Sequence, residues 1–360
     1  MKFAIISLGS KSSLMVAEAA KKYFEQVELI DLKHIEVRLG KDGGIFYQNK
    51  PFENYDCVYV KGSFRYANLL QSIAAMLQGK IPYMPLPAHS FNTVHNKLLT
   101  HLVLQQHNLP MPKTYIPSTT EAARELLKKV SYPIVMKFPE GTQGKGVMFA
   151  DSYGSASSLL DALGALNQPF IIQEYIETGG TDIRVLVVGD RVVGAMKRKA
   201  QTEEKRANIH AGGTGQSVQL SREVINLAID AAQALQVGIC GVDILEGPRG
   251  PLVIEANISP GLQGLSKVVT IDVADEIAQF LAEKTSQALG IKKDKVTKEM
   301  LDEITKDGPK EGQEVVTKLT FRGERILLPE FVTRIADFSD RKEYSVKAEK
   351  GRLEINEPKK

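Results

Sequence analysis

Apolar and polar positions change period several times along this chain of 360 residues. Over Lys2–Ser7 (KFAIIS) the apolar run is short and continuous, as in a buried strand. Residues 14–24 carry apolar side chains at helical spacing, and residues 27–31 and Cys57–Val60 return to strand-like runs. Strand, helix and strand in this order predict a parallel βαβ sheet. Pro82, Pro85 and Pro87 then punctuate the chain and mark a boundary.

Beyond the prolines, residues 96–107 (NKLLTHLVLQQH) have helical periodicity, ending before Asn108 and Pro110. A short strand at 113–116, a helix at 121–130 and a strand at 133–138 follow. A glycine-rich turn (EGTQGKG, 140–146) leads to a strand at Val147–Ala150, a helix at 156–165 and a strand at 170–175. Residues 183–188 and 191–198 read as a hairpin across Gly189-Asp190, a turn pair. A polar loop (200–216) precedes a helix at 221–236. A second hairpin joins 239–246 to 252–257 around Gly247-Pro248, and a helix at 272–289 follows. No internal repeat is visible. From residue 291 the chain is densely charged, reading as a solvated helix and linker, and a short β-rich tail covers 315–355.

Composition narrows the class. With 43% hydrophobic and 25% charged residues the chain is an ordinary globular sequence, long enough to bury a core without staples. Its two cysteines, Cys57 and Cys240, lie in apolar runs, so a disulfide framework is not expected and a reducing cytoplasm is. No segment reaches the ~18 consecutive apolar residues of a membrane span. The first ten residues turn polar too soon for a secretory signal. A net charge of +3 makes no bulk case for nucleic acid.

The strongest chemistry lies in GVDI (241–244) and VIEANISPG (253–261). Asp243 sits among apolar neighbours, and Glu255 and Asn257 are two apart on the next strand, hence on one face. A tight hairpin would set Asp243 across from them. Two carboxylates ~4 Å apart repel by about 4 kcal/mol at an effective dielectric near 20. A hard cation such as Mg²⁺, shared with nucleotide phosphates, would relieve that repulsion. The bland alternative is a strand-edge charge and a surface glutamate.

Lys137 ends the strand YPIVMKF, and Gly141, Gly144 and Gly146 in the next turn allow positive φ and close backbone approach. Turn amides there can face phosphate oxygens, or the turn is only a hairpin. Lys97 near a helix start is a second phosphate candidate or a solvated helix lysine. Glu174 and Tyr175 end a strand whose edge can offer a backbone donor and acceptor to adenine, or simply close a core strand. Asp182 could accept from a ribose hydroxyl or cap the Gly179-Gly180 turn. Arg184, Arg198 and Arg206, with Asn208, form a basic wall suited to an acyl phosphate and a tetrahedral intermediate. His210 reads as loop packing. The glycines at 212 and 213 would let the Arg206 loop close on substrate.

Taken in order, NKLLTHLVLQQHNLPMP, VMKFPEGTQGKGV, IIQEYIETGGTDIRVLVVGDRVVGAMKR, RANIHAGG, GICGVDIL and PLVIEANISPGLQGL resemble the ATP-grasp ligases, and most closely their RimK-type glutamate ligases. The resemblance covers about residues 1–290. It implies a mixed α/β (α+β) fold with an N-terminal Rossmann-like pre-ATP-grasp domain (1–90) and a central subdomain (91–172). A C-terminal subdomain with the metal site (173–290) and a charged linker with a small β-rich tail (291–360) complete it. It implies ATP held between two antiparallel sheets, with Lys97 and Lys137 on phosphates and Glu174 and Tyr175 on adenine. Asp182 would hold the ribose, and Arg206, Ala207 and Asn208 would approach the phosphates. Asp243, Glu255 and Asn257 would hold two Mg²⁺ or Mn²⁺. The implied reaction phosphorylates an acceptor carboxylate and joins it to an amino acid, glutamate first. The acceptor that the resemblance implies is a protein or peptide C-terminus, with a small-molecule cofactor or a carrier protein as alternatives. In the tail, strand-like runs paired around Gly323 and around Lys350-Gly351, with a short helical stretch at 329–335 between them, are similar to AbrB-type swapped-hairpin domains, which implies a homodimer or tetramer; the alternative is a β-rich flap packed on its own ligase body.

Overall fold

In the computed structural model the chain divides into two compact units, Met1–Gly290 and Ile291–Lys360. The structure describes residues 1–141, 146–199, 214–290, 320–322, 325–327, 344–349 and 352–356. Gly144, Arg206, Ala207, Asn208 and His210 lie outside the described residues, as does most of the tail.

Strand β1 (Lys2–Ser7) leads into helix α1 (Lys11–Ala20), whose first turn is capped by Ser10 accepting from the Ser13 amide. That cap starts the helix earlier than the apolar spacing suggested. β2 (Gln26–Asp31) returns parallel to β1. A small antiparallel sheet follows, β3 (Ile35–Arg38), β4 (Gly44–Tyr47) and β5 (Lys50–Pro51). β6 (Cys57–Val60) then completes a parallel sheet in the order β2-β1-β6, as the βαβ reading required. α2 (Ala67–Leu77) and α3 (Ser90–His95), which the apolar pattern did not suggest, run on to α4 (Lys97–Gln106). Asn96 separates the last two, its side chain accepting from the Leu98 and Leu99 amides.

A second, antiparallel sheet has the order β7-β10-β8-β9, from β7 (Thr114–Tyr115), β8 (Ile134–Lys137), β9 (Val147–Ala150) and β10 (Ile171–Glu174). Helices α5 (Thr120–Leu127) and α6 (Tyr153–Ala165) cover one face, and Leu127, Ile134, Met136, Leu160 and Ile172 make a core of its own.

The third sheet is antiparallel, with β11 (Thr181–Val188), β12 (Arg191–Lys199), β13 (Thr214–Ser217), β14 (Ile239–Gly247) and β15 (Gly250–Asn257) in the order β13-β12-β11-β14-β15. Both expected hairpins are present. Gly189, at φ +65°, makes the first turn, and a Cβ there would strike the Phe280 ring at 2.7 Å. α7 (Arg222–Ala234) and α8 (Val273–Ala288) join this sheet to the first one through a continuous apolar core. Cys57 and Cys240 are free thiols buried in it, as their apolar context indicated.

The second unit shows two hairpins, β16 (Thr320–Arg322) with β17 (Arg325–Leu327), and β18 (Ser345–Glu349) with β19 (Arg352–Asn356). Among the described residues no helix is long and apolar enough to cross a membrane.

Candidate active site

Antiparallel pairing builds the polar face of the third sheet. Arg184 on β11 lies opposite Asp243 on β14, and Asp243 lies opposite Glu255 on β15. Asp182, two residues before Arg184, lies opposite Arg198 on β12. Directly opposed residues share a face, as do residues two apart. Five charged side chains from four strands therefore converge, with Asn257 two residues beyond Glu255.

The charges are paired. Arg184 donates from Nε and Nη2 to the two Asp243 oxygens at 2.6 Å each. Arg198 donates to both Asp182 oxygens at 2.6 Å, and its Nη2 lies 2.8 Å from Asp243 Oδ2. Burial alone would raise the Asp243 carboxyl, but the guanidiniums of Arg184 and Arg198 outweigh it and hold it down at about 2. Asp182 has only a share of Arg198, so burial prevails and pushes it up to about 6.

Two sequence readings are refined in consequence. Two arginines supply part of the charge compensation at Asp243 for which the sequence reading looked to a hard cation alone. The Arg198 wall residue is an internal partner of Asp182 and Asp243, and Asp182 is held by Arg198 rather than capping a turn.

Lys137, at the end of β8, and Lys97, at the start of α4, face this sheet from the other side of one cavity of about 890 Å³. Both are buried. Lys97 Nζ donates to the Gly141 carbonyl at 2.9 Å. Burial lowers Lys137 to about 8, with the Lys97 charge acting in the same sense and Glu255 against it. Gly146 takes φ +76° as the turn closes, and a Cβ there would overlap the Phe138 ring.

Beneath the lysines lies a network that the sequence did not suggest. His101, one helical turn after Lys97, is held neutral because burial, helped by the Lys137 charge, lowers it to about 4. Its Nδ1–H donates to the Lys97 carbonyl (2.7 Å), and its Nε2 accepts from the Gln173 amide (3.2 Å). Gln173 also donates to Thr114 Oγ1 at 2.8 Å. This chain locks the start of α4 against β10. Tyr175 and Asp182 line the same cavity; Tyr175 sets its ring edge-on to Phe149 at 5.9 Å. Glu174 accepts from the Lys113 amide (2.9 Å) and from Arg249 (3.2 Å), while its own amide donates to the Lys113 carbonyl (2.9 Å). The Glu174 amide is thus committed within the fold.

Asp243, Glu255 and Asn257 present hard oxygen donors at one sheet edge, the donor type that Mg²⁺ prefers. Asn257 Oδ1 accepts from the Ser259 amide at 2.9 Å, which aims the side chain and leaves a second lone pair. Among the described residues no group of three or more His, Cys, Asp or Glu could hold a metal ion. The donor set still fits a divalent cation that completes its shell with phosphate oxygens and water.

Two antiparallel sheets enclosing a lysine-flanked cavity, with a parallel α/β domain ahead of them, define an ATP-grasp ligase. The chain belongs to the RimK-like ATP-grasp family, whose model matches residues 94–281. It is 34% identical over 296 residues to a "probable alpha-L-glutamate ligase" of Xanthomonas oryzae pv. oryzae (strain MAFF 311018), covering 80% of this chain and 99% of that one. Among solved structures it is similar to the ATP-grasp ligase PsnB complexed with minimal precursor, Mg and ADP. The TM-score is 0.62 at 18% identity, covering 79% of this chain and 97% of that one. It is also similar to a RimK domain ATP-grasp protein from Sphaerobacter thermophilus DSM 20745, with a TM-score of 0.61 at 18% identity over 78% of this chain and 99% of that one. The protein is an ATP-dependent ligase.

Proposed function

We propose that the chain joins glutamate, through its amino group, to the carboxylate of a peptide or protein C-terminus, with a small-molecule carboxylate or carrier protein as the alternative acceptor. One observation carries the reading: a single cavity in which two buried lysines face a carboxylate–amide edge, in a chain similar along most of its length to proteins named probable alpha-L-glutamate ligases.

In this reading Lys97 and Lys137 hold the ATP phosphates, assisted by Gly144 and Gly146 of the turn and by Arg206, Ala207 and Asn208. Adenine lies at the segment of Glu174 and Tyr175 and the ribose near Asp182. An oxygen of the acceptor carboxylate attacks the γ-phosphorus and ADP leaves. The glutamate nitrogen then attacks the acyl carbon, phosphate leaves, and the amine gives up a proton as the amide forms. Asp243, Glu255 and Asn257 would hold two Mg²⁺ or Mn²⁺, which supply neutralising charge to the transferring phosphoryl group. Arg184 and Arg198 keep Asp243 ionised and aimed. Much of the acceleration comes from holding both reactants in line.

Glutamate should support ADP release far better than alanine in the presence of an acceptor peptide ending in acidic residues. A coupled ADP assay with glutamate, aspartate, lysine and alanine checks this, and equal rates for alanine and glutamate would refute the substrate assignment.

The Lys137 ammonium gives a second expected outcome. Phosphates beside it favour its charged form. Nucleotide binding should therefore take up a proton above about pH 8, where burial has begun to neutralise the free enzyme's lysine. Affinity should be full below that pH and fall as pH rises through it. Calorimetry near pH 8.5 in two buffers of different ionisation enthalpy reads the uptake, and Lys137→Met should remove it.

A further inference from the structure

Among the described residues, one buried cation is left unused by the mechanism above. Lys61 follows β6 directly, and its side chain is only 4% exposed. Its Nζ donates to the Pro260 carbonyl at 3.3 Å, which engages one of three N–H groups. Among the described residues no carboxylate pairs with it, and burial lowers it only to about 8, so it stays largely charged at neutral pH. An ammonium buried without a counter-ion is unfavourable unless something anionic answers it.

Lys61 also lines the same cavity as the lysines of the nucleotide end. The wall near it comes from the loop after β1, the first turn of α1, the loop after β6 and the segment after β15. This wall carries Lys11, Lys61 and Lys267 and no aspartate or glutamate. The acidic lining residues, Glu174, Asp182, Asp243 and Glu255, all belong to the other two sheets.

Topology places Lys61 where a ligand is expected. The chain leaves β1 through α1 to β2 on one side and comes back to β6 on the other. The crevice between the carboxyl ends of β1 and β6 is thus the switch point of the parallel sheet, where open α/β sheets take their ligands. The Lys61 amide donates to the Ile6 carbonyl at 2.8 Å, fixing the residue at that crevice. The Gly62 amide donates to Ser259 Oγ at 3.0 Å, which ties the crevice to the segment two residues past Asn257. Arg184 and Arg198 are committed to aspartates, so recognition of an anionic substrate falls to a different cation.

We infer that Lys61 anchors a substrate carboxylate in a subsite at the β1–β6 crevice, separate from the nucleotide phosphates. The inference rests on the ligase reading for the identity of that substrate, which is either the incoming amino acid or the acceptor. The carboxylate bound here is one that does not react, and its pairing with Lys61 would hold the reacting end toward the Glu255 edge.

The test is calorimetric titration of the full chain, loaded with Mg²⁺ and AMPPNP, with L-glutamate and separately with the dipeptide Glu-Glu. Lys61→Met should weaken one or both by about 10- to 100-fold, the range of a charge-assisted hydrogen bond. AMPPNP affinity and Tm should be unchanged. Lys61→Arg, which keeps the charge, should fall between wild type and Lys61→Met. A response to glutamate assigns the subsite to the amino acid, and a response to the dipeptide assigns it to the acceptor. Unchanged affinity for both probes, or no binding of either by wild type, overturns the inference. So does a parallel loss of AMPPNP affinity and Tm, which would make Lys61 only a tie to Pro260. Glutamate-dependent ADP release tests the ligase reading independently. If that release fails while probe binding still depends on Lys61, the subsite stands and the substrate assignment falls.

Discussion

Glu255→Gln is expected to lower ADP release by on the order of 10³-fold, the scale on which phosphoryl-transfer sites respond to loss of charge stabilisation. The change is nearly isosteric, and Glu255 sits at the edge of the sheet rather than in its apolar core. Fold and Tm should therefore hold. Two effects add in the same direction. A neutral amide holds a divalent cation less tightly, and Lys137 loses the nearby carboxylate that favours its charged form. Asp243→Asn should also abolish turnover, but it leaves Arg184 and Arg198 facing a neutral group, so some stability should go with it. The assay is ADP release at saturating Mg²⁺ beside a thermal melt. Near wild-type turnover by Glu255→Gln would remove this residue from the metal assignment.

Arg198→Leu carries the largest expected stability effect. Removing one partner of a buried ion pair costs roughly 3–5 kcal/mol, because the other charge stays buried. Here Asp182 loses both of its guanidinium hydrogen bonds, and Asp243 loses one of its two arginines. For a unit of this size a Tm drop on the order of 10 °C follows. The sign with pH is fixed by Asp182. Its carboxyl is already raised in the folded state, and the variant raises it further. The resulting penalty is present above the ordinary carboxylate pKa and absent below it, so the deficit should shrink at about pH 4 relative to neutral pH. Melts of both proteins at the two pH values measure this. Equal Tm values with activity alone reduced would show that Arg198 serves substrate and is dispensable to the fold.

Local pattern made much of the site legible. Asp243 within GICGVDIL and the spacing of Glu255 and Asn257 were enough to put three oxygen donors on one face. A strand side chain's direction follows from its position by period two, and a tight hairpin leaves little choice of register. At the two described glycines of the turn after Lys137, Gly141 and Gly146, the positive φ expected from the sequence is present, and few other residues take it. By contrast α2, α3 and the sheet of β3, β4 and β5 were not foreseen. Their stability comes from packing on the rest of the domain, and short segments of this kind leave little periodic trace.

What the sequence by itself determined, then, was the order of most strands and helices from residue 96 to residue 290, the carboxylate–amide edge and the family. Each depends on spacing within a few residues or on an ordered run of motifs. Tertiary structure alone decided the pairing of the charges. Arg184 and Arg198 look equally available to substrate along the chain, yet register sets one opposite Asp243 and the other opposite Asp182. It also decided which lysines are buried. Lys61 reads as an ordinary residue at the end of a strand. Its burial, and its place beside a loop about 200 positions later, follow from the packing of the first sheet against the third. Desolvation and counter-charge act through space, and sequence separation carries no record of them until the chain has folded.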